Sequence, residues 1–205
     1  MNLLTARGLV YTYLGTIASD PAYPAATVTA LLNAVANKYI ADVQQMAPSY
    51  LRDTDTLAAA GATSRSYALP ADFAGWLDVR VTDASGSPLS EVRDDELAVV
   101  ADGCHFSITG PDSAATLTTD EGVSAGVALY LKYRYQPAEM SDDADAPDWM
   151  PTQFHDLLAR EAAIDAFGLG DESAPSPLFL QETQDRRAQF WLHIGNRGIQ
   201  PMTLR

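Results

Sequence analysis

Along this chain apolar residues first recur at helical spacing, then alternate, then return to helical spacing. Over residues 2–17 the apolar positions Leu3, Val10, Tyr13, Leu14 and Ile17 predict a helix despite Gly8 and Gly15. Asp20-Pro21 through Pro24 breaks it, because proline disfavours the α region in the residue before it. Residues 27–46 are the clearest helix of the N-terminal half. Val28, Leu31, Leu32, Val35, Tyr39, Val43 and Met46 share one face, while Asn33, Asn37, Lys38 and Gln44 lie off it. Pro48 ends this helix, and residues 58–66, rich in alanine, glycine and serine, predict a loop.

A block of short strands is expected from Arg65 to Tyr135. Its candidates are residues 66–69 ahead of Pro70, 76–81 with Leu77, Val79 and Val81 on one face, 97–100, 105–108 and 115–118. Asp83-Ala84-Ser85-Gly86, Asp102-Gly103 and Gly110-Pro111-Asp112 supply turn chemistry between them. The block closes on residues 127–135, the strongest alternation in the chain. Val127, Leu129, Leu131, Tyr133 and Tyr135 share a face, with Tyr130, Lys132 and Arg134 on the other. Strands at short intervals with glycine turns predict an antiparallel sheet folded on itself, a small sandwich or open barrel.

An acidic connector, residues 136–148, follows. Pro151 then opens a helix with Phe154, Leu157, Leu158 and Ala162 on its apolar stripe, ending at Gly168-Leu169-Gly170. Pro175 and Pro177 introduce the last helix, with Leu180, Thr183, Arg187, Phe190, Trp191 and Ile194 at helical spacing as far as Gly195–Gly198. The resulting fold class is α+β: a helical domain formed by both chain ends, with an inserted antiparallel β-domain. The boundaries are 1–64 for the N-terminal helical part, 65–135 for the β-insert, 136–198 for the connector and C-terminal helices, and 199–205 for an extended arm.

Composition narrows the function. The chain has 205 residues and a net charge of −14. Nucleic-acid binding depends on Lys and Arg neutralising phosphates, so tight general DNA binding is not expected. Cys104 is the only cysteine, which excludes an internal disulfide and a cysteine-rich zinc site and fits a reducing compartment. Arg7 and Gly8 interrupt the stretch where a signal peptide would need an unbroken apolar run, and no run approaches a membrane span. The expectation is a soluble chain, cytoplasmic at synthesis.

No catalytic pattern appears. His105, His155 and His193 have no ligand spacing, and the two-histidine zinc helix is absent. Asp142, Asp143, Asp145 and Asp148 lack the central glycine and terminal glutamate of a calcium loop, so they predict a solvated linker. Nucleophile-elbow, phosphate-loop and dinucleotide signatures are missing too. No enzyme activity, metal or cofactor is expected. A small hydrolase or glycan-binding module would require a pocket converging on Asp102 and His105. From Arg186 onward the chain carries Arg186, Arg187, Arg197 and Arg205 and no acidic residue, a +4 segment against −18 for the remainder. Arg186, Arg187 and Arg197, with Tyr130, Lys132 and Arg134 of the alternating strand, are the candidate subunit contacts.

The order of these pieces carries a resemblance. A helix pair leads to Tyr67-Ala68-Leu69-Pro70-Ala71-Asp72-Phe73. Then come Tyr133-Arg134-Tyr135-Gln136-Pro137, an acidic gap, and Pro151-Thr152-Gln153-Phe154-His155-Asp156-Leu157-Leu158. This resembles the head-to-tail adaptor (connector, or neck) proteins of tailed bacteriophages, especially larger ones with a β-insertion in a helical core. The resemblance implies a non-enzymatic virion protein at the neck, in a ring of typically twelve neighbouring copies beneath the portal protein. It also implies a central channel through which DNA passes without specific binding, and a tail-side face for the next neck or tail protein. By the same resemblance Ile199, Gln200, Pro201, Met202, Thr203, Leu204 and Arg205 form the portal-binding arm. Whether the β-insert meets a neighbouring subunit or the tail is left open. A stopper, tail-completion or decoration role is the nearest alternative.

Overall fold

The computed structural model describes residues 1–16, 20–82, 85–94, 96–97, 104–110, 115–169 and 174–198, residues 197 and 198 by their backbone alone. The chain divides into two compact units, Met1–Tyr50 with Pro137–Arg205, and Leu51–Gln136. The first holds the helices of both chain ends and the second the strands, an α+β fold in which the described strands close into no barrel.

In the helical unit, α1 (Leu3–Leu14) starts at Asn2, whose side chain accepts from Thr5 N at 3.0 Å. It ends at Gly15, where φ is +70° and a left-handed residue closes the last turn onto Thr12 and Tyr11. α2 (Ala25–Met46) buries Val28, Leu32, Val35, Tyr39 and Val43 of the face its spacing predicts, together with Ile40, while Leu31 is half-buried and Met46 exposed. A 3-10 turn, Thr152–Phe154, leads into α3 (His155–Phe167). α3 is the central helix and packs on α1, α2 and α4 (Pro177–Gly198). Ala159, Ala162, Ala163 and Ala166 are all fully buried, and such small side chains let neighbouring helices approach closely. The expected stripe therefore understates how completely α3 is enclosed. Ser176 accepts from Phe179 N at 3.2 Å just ahead of Pro177, so cap and first-turn proline start α4 together.

The other unit is two sheets around one core. The first is antiparallel, with β1 (Arg52–Leu57), β7 (Leu129–Tyr135) and β3 (Phe73–Val81) in the order β1-β7-β3. The second runs β2-β6-β5-β4, formed by β2 (Ser66–Ala68), β6 (Thr116–Thr119), β5 (His105–Thr109) and β4 (Ser90–Glu91). Its short β4–β5 pair is parallel, so the second sheet is mixed and not purely antiparallel as expected. Leu57, Val79, Leu129, Leu131 and Tyr133 of the first sheet share one buried cluster with Tyr67, Phe106 and Leu117 of the second. Trp76 meets Phe106 edge-on at 5.4 Å across it.

Three details depart from the sequence reading. β1 lies ahead of the expected start of the block. All its residues but Leu57 are exposed, so no apolar alternation marks it. β3 begins at Phe73 and carries register shifts between Phe73 and Gly75 and between Trp76 and Asp78. The second shift turns Trp76, and not Leu77, onto the core face opposite Tyr133, breaking the expected 77/79/81 alternation. Gly75, at φ +147°, lets the Arg134 guanidinium lie where a side chain would stand. The expected strand at 97–100 falls almost wholly outside the described residues, as do Asp83-Ala84, Asp102-Gly103 and the arm at 199–205.

Candidate interaction surfaces

α4 is fastened to the helical bundle by arginines. The Arg187 guanidinium binds Glu161 of α3 through Nε at 2.8 Å and through a second, shorter bond from Nη2. Glu161 also accepts from the Tyr39 hydroxyl of α2 at 3.0 Å. Its side chain is only 10% exposed, while Arg187 keeps 43%. Hydrogen bonding to Glu161 raises the Arg187 pKa, while burial first, and the nearby carboxylate second, push the Tyr39 phenol up. Tyr39 sits against Phe190 and Trp191 of α4, at 5.3 and 5.9 Å between ring centroids.

Arg186 forks onto Asp156 at 3.1–3.3 Å and stands 5.4 Å over the Phe154 ring. Arg160 completes the set. It bonds Glu182 at 3.1 Å and covers Tyr13 of α1 and Phe179 of α4 at 5.2 and 5.3 Å. Two of the four arginines of the +4 segment are thus engaged with carboxylates inside the chain, which its sequence alone does not show. The side chain of Arg197 and all of Ile199, Gln200, Pro201, Met202, Thr203, Leu204 and Arg205 lie outside the described residues.

On the first sheet the pairing register fixes what faces outward. Leu129, Leu131 and Tyr133 of β7 point into the core, so Tyr130, Lys132 and Arg134 point out. Tyr130 lies between Thr56 and Arg80, Lys132 between Thr54 and Asp78, and Arg134 between Arg52 and Gly75. Arg80 is paired with Asp78 at 2.8 Å. Four basic residues and one acidic residue therefore share one outer face.

The three histidines and the connector aspartates make local contacts, while Asp102 lies outside the described residues. His155 is buried, with Nε2 2.8 Å from the Met150 carbonyl and Nδ1 2.9 Å from the Met1 amino group. Burial, and then the nearby ammonium, lower its pKa. His193 stacks at an angle on Phe154, 5.5 Å between ring centroids. His105 Nδ1 and its backbone N–H are bound to Asp120, at 2.8 and 3.1 Å, so the residue anchors the turn after β6. In the connector, Asp145 accepts from the amides of Ser141 and Asp142, which lower its pKa, and Asp143 pairs with Arg7. These aspartates hold the connector's shape. Among the described residues no group of three His, Cys, Asp or Glu is placed to hold a metal, and no helix is long and apolar enough to cross a membrane.

The model for the family described as SU10 adaptor protein matches residues 1–202, and the chain belongs to that family. It is accordingly a structural, non-enzymatic adaptor of the bacteriophage virion. No curated protein matches the chain. Among solved structures, a chain of the "Neck of empty GTA particle computed with C6 symmetry" is 15% identical over 89% of this chain and 90% of its own. The TM-score of that match is 0.27.

Proposed function

We propose that the protein is the head-to-tail adaptor of the neck, a ring of copies, twelve in number, seated beneath the portal protein. The observation that carries this reading is the family match over residues 1–202. The helices of both chain ends form the body of each copy, and the residues after α4 form an arm that enters the portal. Fastening α4 through Arg160, Arg186 and Arg187 supports that role, because an arm aims reliably only from a rigid base. The opposite side of the ring receives the next neck or tail protein.

The ring encloses a channel for DNA. A chain with a net charge of −14 supports passage without sticking, because few phosphate contacts form on an acidic wall. Synthesis takes place in the host cytoplasm, and the protein then joins the virion. The test is binding of isolated portal rings by the full chain and by a variant ending at residue 198. The full chain binds and the truncated one folds but does not. Equal binding by both removes the arm from the account, and binding only to tail tube assigns the protein to tail completion instead.

A further inference from the structure

The strand unit has a charge polarity that the adaptor reading does not use. Residues 51–136 contain thirteen acidic and six basic residues. Four of those six, Arg52, Arg80, Lys132 and Arg134, stand on the outer face of the β1-β7-β3 sheet, with Asp78 as its single acid. Glu91, Asp94 and Glu96 line a shallow groove at the β4–β5 edge of the other sheet, with Val92, Arg93 and Ile108. The sandwich is therefore basic on the outside of one sheet and acidic at the edge of the other.

We propose that the outer face of the β1-β7-β3 sheet docks the acidic β4–β5 edge of a second copy of this chain, head to tail. Each copy carries both halves of the contact, so charge complementarity is met by the chain itself. A two-fold contact through the basic face would set like charges against each other, so the association is heterologous and closes into a ring or runs on as a filament. Docking by strand addition at β1 is discouraged. Asp53 and Asp55 of this edge strand accept from the amides of Thr54 and Thr56, at 2.8 and 2.7 Å.

The face is small. Three strands about 4.8 Å apart and seven residues long, at about 3.4 Å each, cover roughly 300 Å². A standard interface needs about 800 Å² per partner. The contact is thus weak between two free copies and gains strength from ring closure. The inference rests on the adaptor reading only in taking another copy as the occupant.

Lys132 and Lys38 are the only lysines in the chain, which makes zero-length carbodiimide cross-linking a direct probe. Full-length protein is mixed from unlabelled and nitrogen-15 copies, cross-linked in 0.15 M NaCl, digested and weighed. The expected products are mixed-isotope peptides joining Lys132 to Glu91, Asp94 or Glu96. Lys132→Arg abolishes them, and R52E/R80E lowers their yield about tenfold, with Arg52→Glu alone as the milder variant. Both arginine variants keep the far-ultraviolet spectrum of the parent. Products within single copies only, or between copies through Lys38 only, overturn the proposal. So does joining of Lys132 to portal carboxylates in a portal-bound sample, which would name portal as the occupant. Cross-links present without portal binding would sink the portal reading and leave this one standing; the reverse result would do the opposite.

Discussion

Glu161 is nearly buried and Arg187 is not, and this asymmetry predicts which half of the pair is costlier to lose. Glu161→Leu removes the acceptor of both Arg187 and the Tyr39 hydroxyl. The guanidinium, 43% exposed, turns to water, so the main loss is a stranded phenol and the bonds to a charged group, about 2 kcal/mol. Arg187→Leu leaves a carboxylate at 10% exposure with only the Tyr39 hydroxyl to bind it. Breaking a fully buried pair in this direction costs about 3–5 kcal/mol, and partial exposure places this one near the lower end, about 3 kcal/mol. In the double variant the carboxylate and guanidinium are both gone, leaving about 2 kcal/mol and a coupling of about 3 kcal/mol. Urea unfolding in a Trp76→Phe background, read by the fluorescence of Trp149 and of Trp191 against Tyr39, both in the helical unit, measures all three. Glu161→Leu costing as much as Arg187→Leu, or both costing under about 0.5 kcal/mol, would refute this account of how α4 is held.

Three further outcomes are expected. Leu131→Asp puts an unpaired charge at a fully buried position of the central strand and costs about 4 kcal/mol or more, read by Trp76 fluorescence in urea in a W149F/W191F background; full stability would reverse the assignment of the strand's faces. Gly126→Ala meets a φ of +77° and would place its Cβ 2.5 Å from the Ala62 carbonyl oxygen, so it lowers stability by about 1–3 kcal/mol in the same assay. The His155 pKa is lowered in the folded chain, so the unfolded state takes up its proton first. Its contribution to stability is complete above about pH 6.5 and declines as pH falls through the lowered value. Urea midpoints at pH 7.5 and 5.5 should show a smaller acid-side loss in His155→Gln than in the parent.

Elements with a strong period were readable from residues alone. α2 and β7 declare themselves because one face of each is apolar throughout, and Pro175 and Pro177 announce the start of α4 by backbone chemistry, although the sequence reading does not include the Ser176 cap between them. β1 was not readable. As an exposed edge strand of Arg, Asp and Thr, it gains its structure from pairing with β7, more than seventy residues away in sequence. The bulge in β3 was hidden for a related reason: alternation at Leu77, Val79 and Val81 fits a regular strand equally well, and only the register against Tyr133 and Leu131 turns Trp76 inward. The candidate contacts were legible as residues and not as surfaces. Tyr130, Lys132 and Arg134 follow from the alternation of one strand, but Arg52 and Arg80 join them only through strand order. Arg186 and Arg187 read as part of a basic tail, and their partners Asp156 and Glu161 lie on another helix with no spacing that signals them.

The adaptor account is tested most directly by a cryo-electron-microscopy map of isolated portal incubated with the full-length chain. The account predicts a closed ring of copies against the portal, with density for residues 199–205 entering it. Portal rings that stay bare at saturating protein, or copies attached elsewhere on the particle, would contradict it.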